Sequence, residues 1–231
     1  MEKLLYNTGK AIAKEVYPVN ITGDTLFFIT EIIGTIAFAI SGATIAIERK
    51  LDLFGVIFLG ATTAIGGGIV RDMLLGQVPP KSFVNYVYFL TAAVTALVVF
   101  LLFAANRNRN TPLPFLSDGM LNFFDAAGLG IFSVIGVQNT VNAGFGDNIF
   151  FCVFLGMLTG VGGGMLRDVM SHAVPAVLRK HIYALASIAG ALCYYCLRGF
   201  DEGFAIVTTT GLVIIIRLMA SHYKWTLPRL D

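Results

Sequence analysis

Two arginine–aspartate pairs are the residues best placed to do chemistry: Arg71-Asp72 and Arg167-Asp168. Each closes the same element, Gly-Gly-Gly-x-x-Arg-Asp, which begins with Gly66, Gly67 and Gly68 in one copy and Gly162, Gly163 and Gly164 in the other. Both copies lie inside long apolar runs. A charge near the centre of a bilayer costs about 2.5–3.5 kcal/mol on insertion scales, so these side chains are expected to face a protein interior or water. The alternative is a helix end among lipid headgroups, with Pro79 and Pro175 marking the turn beyond. Three consecutive glycines, each about 1 kcal/mol worse than Ala in a helix, predict a kink or break. A break at membrane depth frees carbonyls, which ligate cations, and amides, which favour anions. Gly66 and Gly162 are where a passing monovalent cation would meet such carbonyls. The competing use of the triplets is close helix packing.

The sequence contains itself twice. Residues 57–79, IFLGATTAIGGGIVRDMLLGQVP, align with 153–175, VFLGMLTGVGGGMLRDVMSHAVP, and 11 of the 23 positions are identical. Upstream, after a two-residue shift, Glu31, Gly34, Phe38 and Gly42 fall on Asp125, Gly128, Phe132 and Gly136. Neighbours on a helix diverge, so ion pairing is expected between elements: Arg71 with Asp168 or Glu31, and Arg167 with Asp72 or Asp125. Thr63 and Thr159 also coincide, one turn before the triplets. They either line a pore or bond to their own i−4 carbonyls.

These residues must be positioned by membrane-spanning helices. Hydrophobic residues make up 56% of the 231, charged residues 13%, and mean hydropathy is +0.78. A soluble domain carries about 25% charge, so an ordinary soluble enzyme is excluded. A net charge of +2 gives no nucleic-acid footprint, and three Cys give no disulfide scaffold. Seven stretches have the length and apolarity of spans: 25–47, 53–76, 83–105, 120–140, 148–170, 182–199 and 203–220. Arg217 is expected to snorkel from the end of the last. The first 23 residues read as a tail or interfacial amphipathic helix. The fold class is therefore an all-α polytopic membrane protein, with the second and fifth spans kinked. Residues 24–107 form one three-helix unit, 118–200 a second, and 201–231 an appended seventh helix and tail. Three crossings per unit make the repeat inverted, an arrangement that places a pathway at the repeat interface. Lys and Arg between spans favour the N-terminus outside and the C-terminus inside: Arg49, Lys50, Arg107, Arg109, Arg179, Lys180, Lys224 and Arg229 are then internal.

Other chemistry is thin. GGGIVRDMLLG resembles the phosphate-binding turn of tRNA nucleotidyltransferases. However, no Asp follows Asp72 until Asp118, no Asp-x-Asp pair exists, and the element is duplicated inside apolar helices. His172, His181 and His222 show no metal-ligand spacing, and Cys193-x-x-Cys196 lacks the second pair that zinc needs. No nucleophile–base set can be assembled, so no enzyme activity and no cofactor are expected. Tyr86, Tyr88, Tyr183, Tyr223 and Trp225 are expected as interfacial anchors.

Seven spans, a 3+3 inverted repeat and a doubled GGG-x-x-RD element resemble the prokaryotic trimeric intracellular cation (TRIC) channels over about residues 24–220. The resemblance implies a homotrimer in the prokaryotic plasma (inner) membrane, with a pore in each subunit. It implies kinked second and fifth spans lining that pore, and potassium, or sodium, as the permeant ion. Arg71, Asp72, Arg167 and Asp168 would then lie in or beside the pathway. The Lys-Glu-Val lipid-binding motif of the animal branch has no counterpart here, since Lys14–Val16 precedes the first span. The same family includes bacterial members described as glycine transporters. A zwitterionic amino acid would use both charges, Arg for its carboxylate and Asp for its ammonium. A scaffold without transport is the third expectation.

Overall fold

The structure, a computed structural model, describes residues 23–106, 118–179 and 182–225. The tail expected over 1–23 lies, Gly23 aside, outside the described residues, as do Arg107, Arg109, Lys180 and Arg229. Among the described residues all regular structure is helical: α1 (Gly23–Glu48), α2 (Leu53–Leu74), α3 (Lys81–Val84), α4 (Val87–Asn106), α5 (Asp118–Thr140), α6 (Ile149–Met170), α7 (Ala176–Arg179), α8 (Ile182–Leu197) and α9 (Glu202–His222). Six helices are long and apolar enough to cross a membrane. The seventh, α8, has 16 residues and at 1.5 Å per residue reaches about 24 Å. All seven expected spans are found.

Side chains fix where several spans start. Asp52 accepts from Gly55 N at 2.7 Å, Asn148 from Phe151 N at 3.0 Å and Asp201 from Phe204 N at 2.8 Å. Each satisfies an amide that the helix leaves orphaned. The fourth span does not stop at 140. It winds on through a π-helical turn, Val141–Phe145, kinked inside by Gly144 at φ 89°, a backbone state that costs glycine little.

α1, α2, α5 and α6 form the centre, and they carry the duplicated glycines, threonines, phenylalanines and charged residues. The most apolar window of α5 is 67% buried within the protein and that of α4 only 22%. α4 therefore turns a face of Leu90, Val94, Val98, Leu101 and Leu102 outward, toward lipid.

At the centre α2 and α6 cross through their glycine triplets. A Cβ on Gly67 would collide with the Thr159 carbonyl oxygen, and one on Gly163 with the Thr63 carbonyl oxygen. A Cβ on Gly162 would come within 3.0 Å of Gly67 Cα. The contact is reciprocal, as a twofold-related repeat requires. Both helices keep α-helical bonding through the triplets, which excludes the break of the two expectations. A backbone group released at this depth has no water to bond, and small residues repay their weak helix propensity by letting the backbones touch.

Candidate functional site

Two buried charged clusters lie on opposite sides of this crossing. In the first, Arg71 and Asp72 are 3% and 1% exposed. Arg71 Nε donates to Asp72 Oδ1 at 2.8 Å, and its Nη2 lies 2.7 Å from the same oxygen. Asp72 Oδ2 accepts from Lys81 N at 2.8 Å, so this carboxylate ties the end of α2 to the start of α3. Glu31 Oε2, next to it on α1, accepts from Lys81 Nζ at 2.8 Å and from the Tyr88 hydroxyl. In the second cluster Arg167 Nε donates to Asp168 Oδ1 at 2.9 Å. Its Nη1 donates to Asp125 Oδ1 at 2.6 Å and Ser41 Oγ at 2.5 Å. Asp168 Oδ2 accepts from Ala176 N at 2.7 Å, again tying a helix end to the segment beyond it.

The pairing expected for Arg167 with Asp125 is present. The others are corrected: Arg71 meets Asp72, its own neighbour, and Glu31 is met by Lys81. A guanidinium is long enough to bend back along its helix. In a dry interior, an adjacent carboxylate that also holds an incoming backbone amide is a fixed target. The charges sit in the last turn of each helix, yet face inward rather than among headgroups. Thr63 and Thr159 donate to the carbonyls of Leu59 and Leu155, both at 2.6 Å. They take the back-bonding alternative and border neither cavity described below. Gly66 abuts Leu166 and Gly162 abuts Gly67. Both helices run unbroken past Gly66 and Gly162. Gly68 and Gly164 lie beside Arg71 and Arg167, whose Nη2 atoms a Cβ would approach to 3.7 and 3.6 Å.

Each cluster borders a cavity. The larger, about 440 Å³, is lined by Glu48, Arg49, Asp125, Arg167, Asp168 and Arg217 among others. The smaller, about 20 Å³, touches Glu31, Thr35, Arg71, Lys81, Tyr88 and Phe132 among others. Both Glu31 and Ile45 belong to α1, one at each cavity, and 14 residues of helix separate them by about 21 Å. The cavities therefore belong to opposite ends of the bundle. Between them the duplicated Phe38 and Phe132 stack at 5.3 Å. Each is seven residues beyond the acid of its own repeat, which puts the ring pair about halfway along the bundle.

Several residues of the two clusters and of the stack between them lie outside the sequence motif. Arg217 is 3% exposed, packs 4.5 Å over the Tyr183 ring, and lies 3.7 Å from Asp125 Oδ2. It does not snorkel. A lone charge inside an apolar run is the signal that marks it. Tyr88 and Tyr183 are buried core residues rather than interfacial anchors, whereas Tyr86, Tyr223 and Trp225 are exposed. Ser41 and Lys81 carry no signal that separates them from ordinary helix or loop residues, whereas Phe38 is marked by its repeat-equivalent Phe132.

Comparison with known proteins agrees with this architecture. The family model described as "Glycine transporter" matches residues 28–104 and again residues 122–199. The chain belongs to this glycine transporter family. Among relatives, a membrane protein of Deinococcus radiodurans is 37% identical over 197 residues, covering 84% of this chain and 87% of its own. The inner membrane protein YadS of Escherichia coli (strain K12) is 36% identical over 206 residues, covering 87% and 94%. Two solved structures are similar in fold. One, described for conductance through TRIC cation channels, has a TM-score of 0.74 at 35% identity and covers 89% of this chain and 97% of its own. The other, a TRIC trimeric intracellular cation channel orthologue from Rhodobacter sphaeroides, has a TM-score of 0.76 at 26% identity and covers 87% and 100%. This family member is thus a membrane protein with the fold of TRIC cation channels.

Proposed function

We propose that the chain is a passive channel for monovalent cations, potassium foremost, with one pathway through each subunit of a homotrimer and no covalent chemistry. The observation that carries this reading is the pair of cavities at opposite ends of α1, each floored by a buried acid of the repeat and parted by the Phe38–Phe132 stack. Stacked apolar rings between two polar vestibules form the kind of constriction that gates by dewetting. The solved relatives described as cation channels support the same reading. In it, residues 24–107 and 118–200 are the two halves that enclose the route, and residues 201–231 supply Arg217. Glu31 and Asp125 attract the ion, while Arg71-Asp72 and Arg167-Asp168 hold the helix ends that shape the mouths. The membrane is the prokaryotic inner membrane, with the N-terminus outside and the larger cavity on the cytoplasmic side.

Reconstituted protein in liposomes tests this. Unitary potassium conductance that rises when Phe132 is replaced by Ala is the expected result; inert vesicles across a range of voltages would overturn the reading. A second reading, a glycine carrier, is favoured by the charge balance of the larger cavity, where Arg49, Arg167 and Arg217 face Glu48, Asp125 and Asp168. Matched opposite charges suit a zwitterion. Saturable glycine uptake without unitary steps would replace the channel reading with this one.

A further inference from the structure

The two mouths differ in what neutralises their acid. Asp125 is met by Arg167 and Arg217, both almost fully buried on spanning helices. Its repeat-equivalent, Glu31, is met by a lysine from the four-residue α3. The Lys81 ammonium rests on Glu31 Oε2 at 2.8 Å and lies 5.5 Å from the centre of the Tyr88 ring. A carboxylate beneath and an aromatic face beside are the two elements that hold a monovalent cation or a primary ammonium. Tyr88 is fixed in that position because its hydroxyl donates to the same carboxylate oxygen. Thr35 adds a hydroxyl to the lining.

We infer that Glu31, Tyr88 and Thr35 form a cation-binding site at this mouth, and that Lys81 is a tethered occupant which competes with the free cation. Three observations support release of the tether. The Lys81 side chain is 30% exposed, whereas that of Glu31 is 7% exposed. Its four-carbon stem is flexible and its head is a single point charge, unlike the forked guanidinium of Arg71. Its backbone amide stays anchored to Asp72 when the side chain swings, so departure of the ammonium does not require α3 to move. The stem also fills the mouth: the cavity here is about 20 Å³, room for about one water, against about 440 Å³ at the other end. Lys81 thus sets both the charge and the bore of one entrance.

The inference deepens the channel reading and rests on it for the flux measurement, but binding is measurable without flux. Purified full-length protein is titrated with KCl, N-methyl-D-glucamine chloride holding ionic strength constant, and thermal stability is followed. Wild type and Lys81→Arg keep the tether. Lys81→Met removes it, and Lys81→Gln does the same should the Met variant not fold. A tether occupying its site nine-tenths of the time weakens apparent affinity about tenfold. Half-saturation by potassium should therefore fall about tenfold or more in Lys81→Met, and the response should vanish in Lys81→Met/Glu31→Gln. Equal half-saturation in wild type and Lys81→Met, or survival of the response in the double variant, overturns the site. Potassium flux into liposomes, measured alongside, separates the two claims. Binding that changes as expected with no flux in any variant keeps the site and removes the channel. Flux that is indifferent to both residues keeps the channel and removes the site.

Discussion

Asp125→Asn and Glu31→Gln remove equivalent acids, yet their costs should differ several-fold. Asp125 is 6% exposed and accepts from Arg167 at 2.6 Å, with Arg217 at 3.7 Å. Both arginines are nearly inaccessible and held on spanning helices, so neither can swing away to bulk water once the carboxylate is neutral. Asp168 remains as the described carboxylate bonded to Arg167, and Arg217 keeps its 3.2 Å bond to Asn122 and its packing on the Tyr183 ring. Removing one partner of a buried pair costs about 3–5 kcal/mol. Glu31 is equally buried, but its partner Lys81 can withdraw to solvent, and Gln still accepts from Tyr88. What is lost there is an ion pair whose lysine is partly exposed, and solvent screening brings its worth down to about 1–2 kcal/mol. The difference, about 2–3 kcal/mol, amounts to roughly 30–150-fold in the unfolding equilibrium. Reversible unfolding in mixed micelles, followed by circular dichroism, measures it. Equal destabilisation by the two variants would refute the reasoning. A partial recovery of Asp125→Asn by adding Arg217→Met would locate the cost in the stranded guanidinium.

The glycine crossing makes an equally sharp contrast. Gly67→Ala and Gly163→Ala should each cost at least about 1–3 kcal/mol through overpacking, whereas Gly68→Ala, with nothing nearer than Arg71 Nη2 at 3.7 Å, should be neutral or stabilising; thermal unfolding in detergent ranks them. Phe38→Ala should increase potassium leak from liposomes, and an unchanged leak would place the constriction elsewhere. Ser41→Ala removes the 2.5 Å acceptor of Arg167 supplied by the other repeat and should cost about 1–3 kcal/mol; because Ser41 and Asp125 accept from the same Nη1, a double-mutant cycle with Asp125→Asn should show a coupling of about 0.5–3 kcal/mol, and strict additivity would argue against the shared donor.

Most of the fold was legible because membrane spans depend on length and apolarity, both of which are linear in the sequence. The duplicated Gly-Gly-Gly-x-x-Arg-Asp element likewise marked the central pair of helices correctly. What it did not disclose was the use of the glycines, because a triplet reads the same whether a helix breaks there or another backbone lies against it. Only the position of the Thr159 and Thr63 carbonyls separates the two. The arginine partners were half legible. Asp125 follows from repeat symmetry, but Arg71 bonding its own neighbour depends on the Lys81 amide that orients Asp72 from nine residues away. The amide that plays this part for Asp168 belongs to Ala176, eight residues on. The second repeat is therefore one residue shorter here, and Lys81 has an alanine for its counterpart. The same shift sets Tyr88 against Tyr183, which an ungapped alignment pairs with Ala184 instead. Symmetry read straight along the chain passes over both the lysine and the tyrosine pair.

The ion pairs have a consequence for biogenesis. Arg71 with Asp72 and Glu31 with Lys81 are settled inside the first half; Arg167 with Asp168 and Asp125 are settled inside the second. Across the seam lie glycine backbone, phenyl rings, aliphatic side chains such as Ile131 and Leu166, and the Ser41 hydroxyl. Each half can therefore enter the bilayer with its charges already compensated, before the ribosome has finished the other. A gene cut between Asn106 and Asp118 would yield two polypeptides that recognise one another by shape and by the bond from Arg167 to Ser41. That is also the condition under which an ancestral half-length protein could have worked as a pair before its gene was fused.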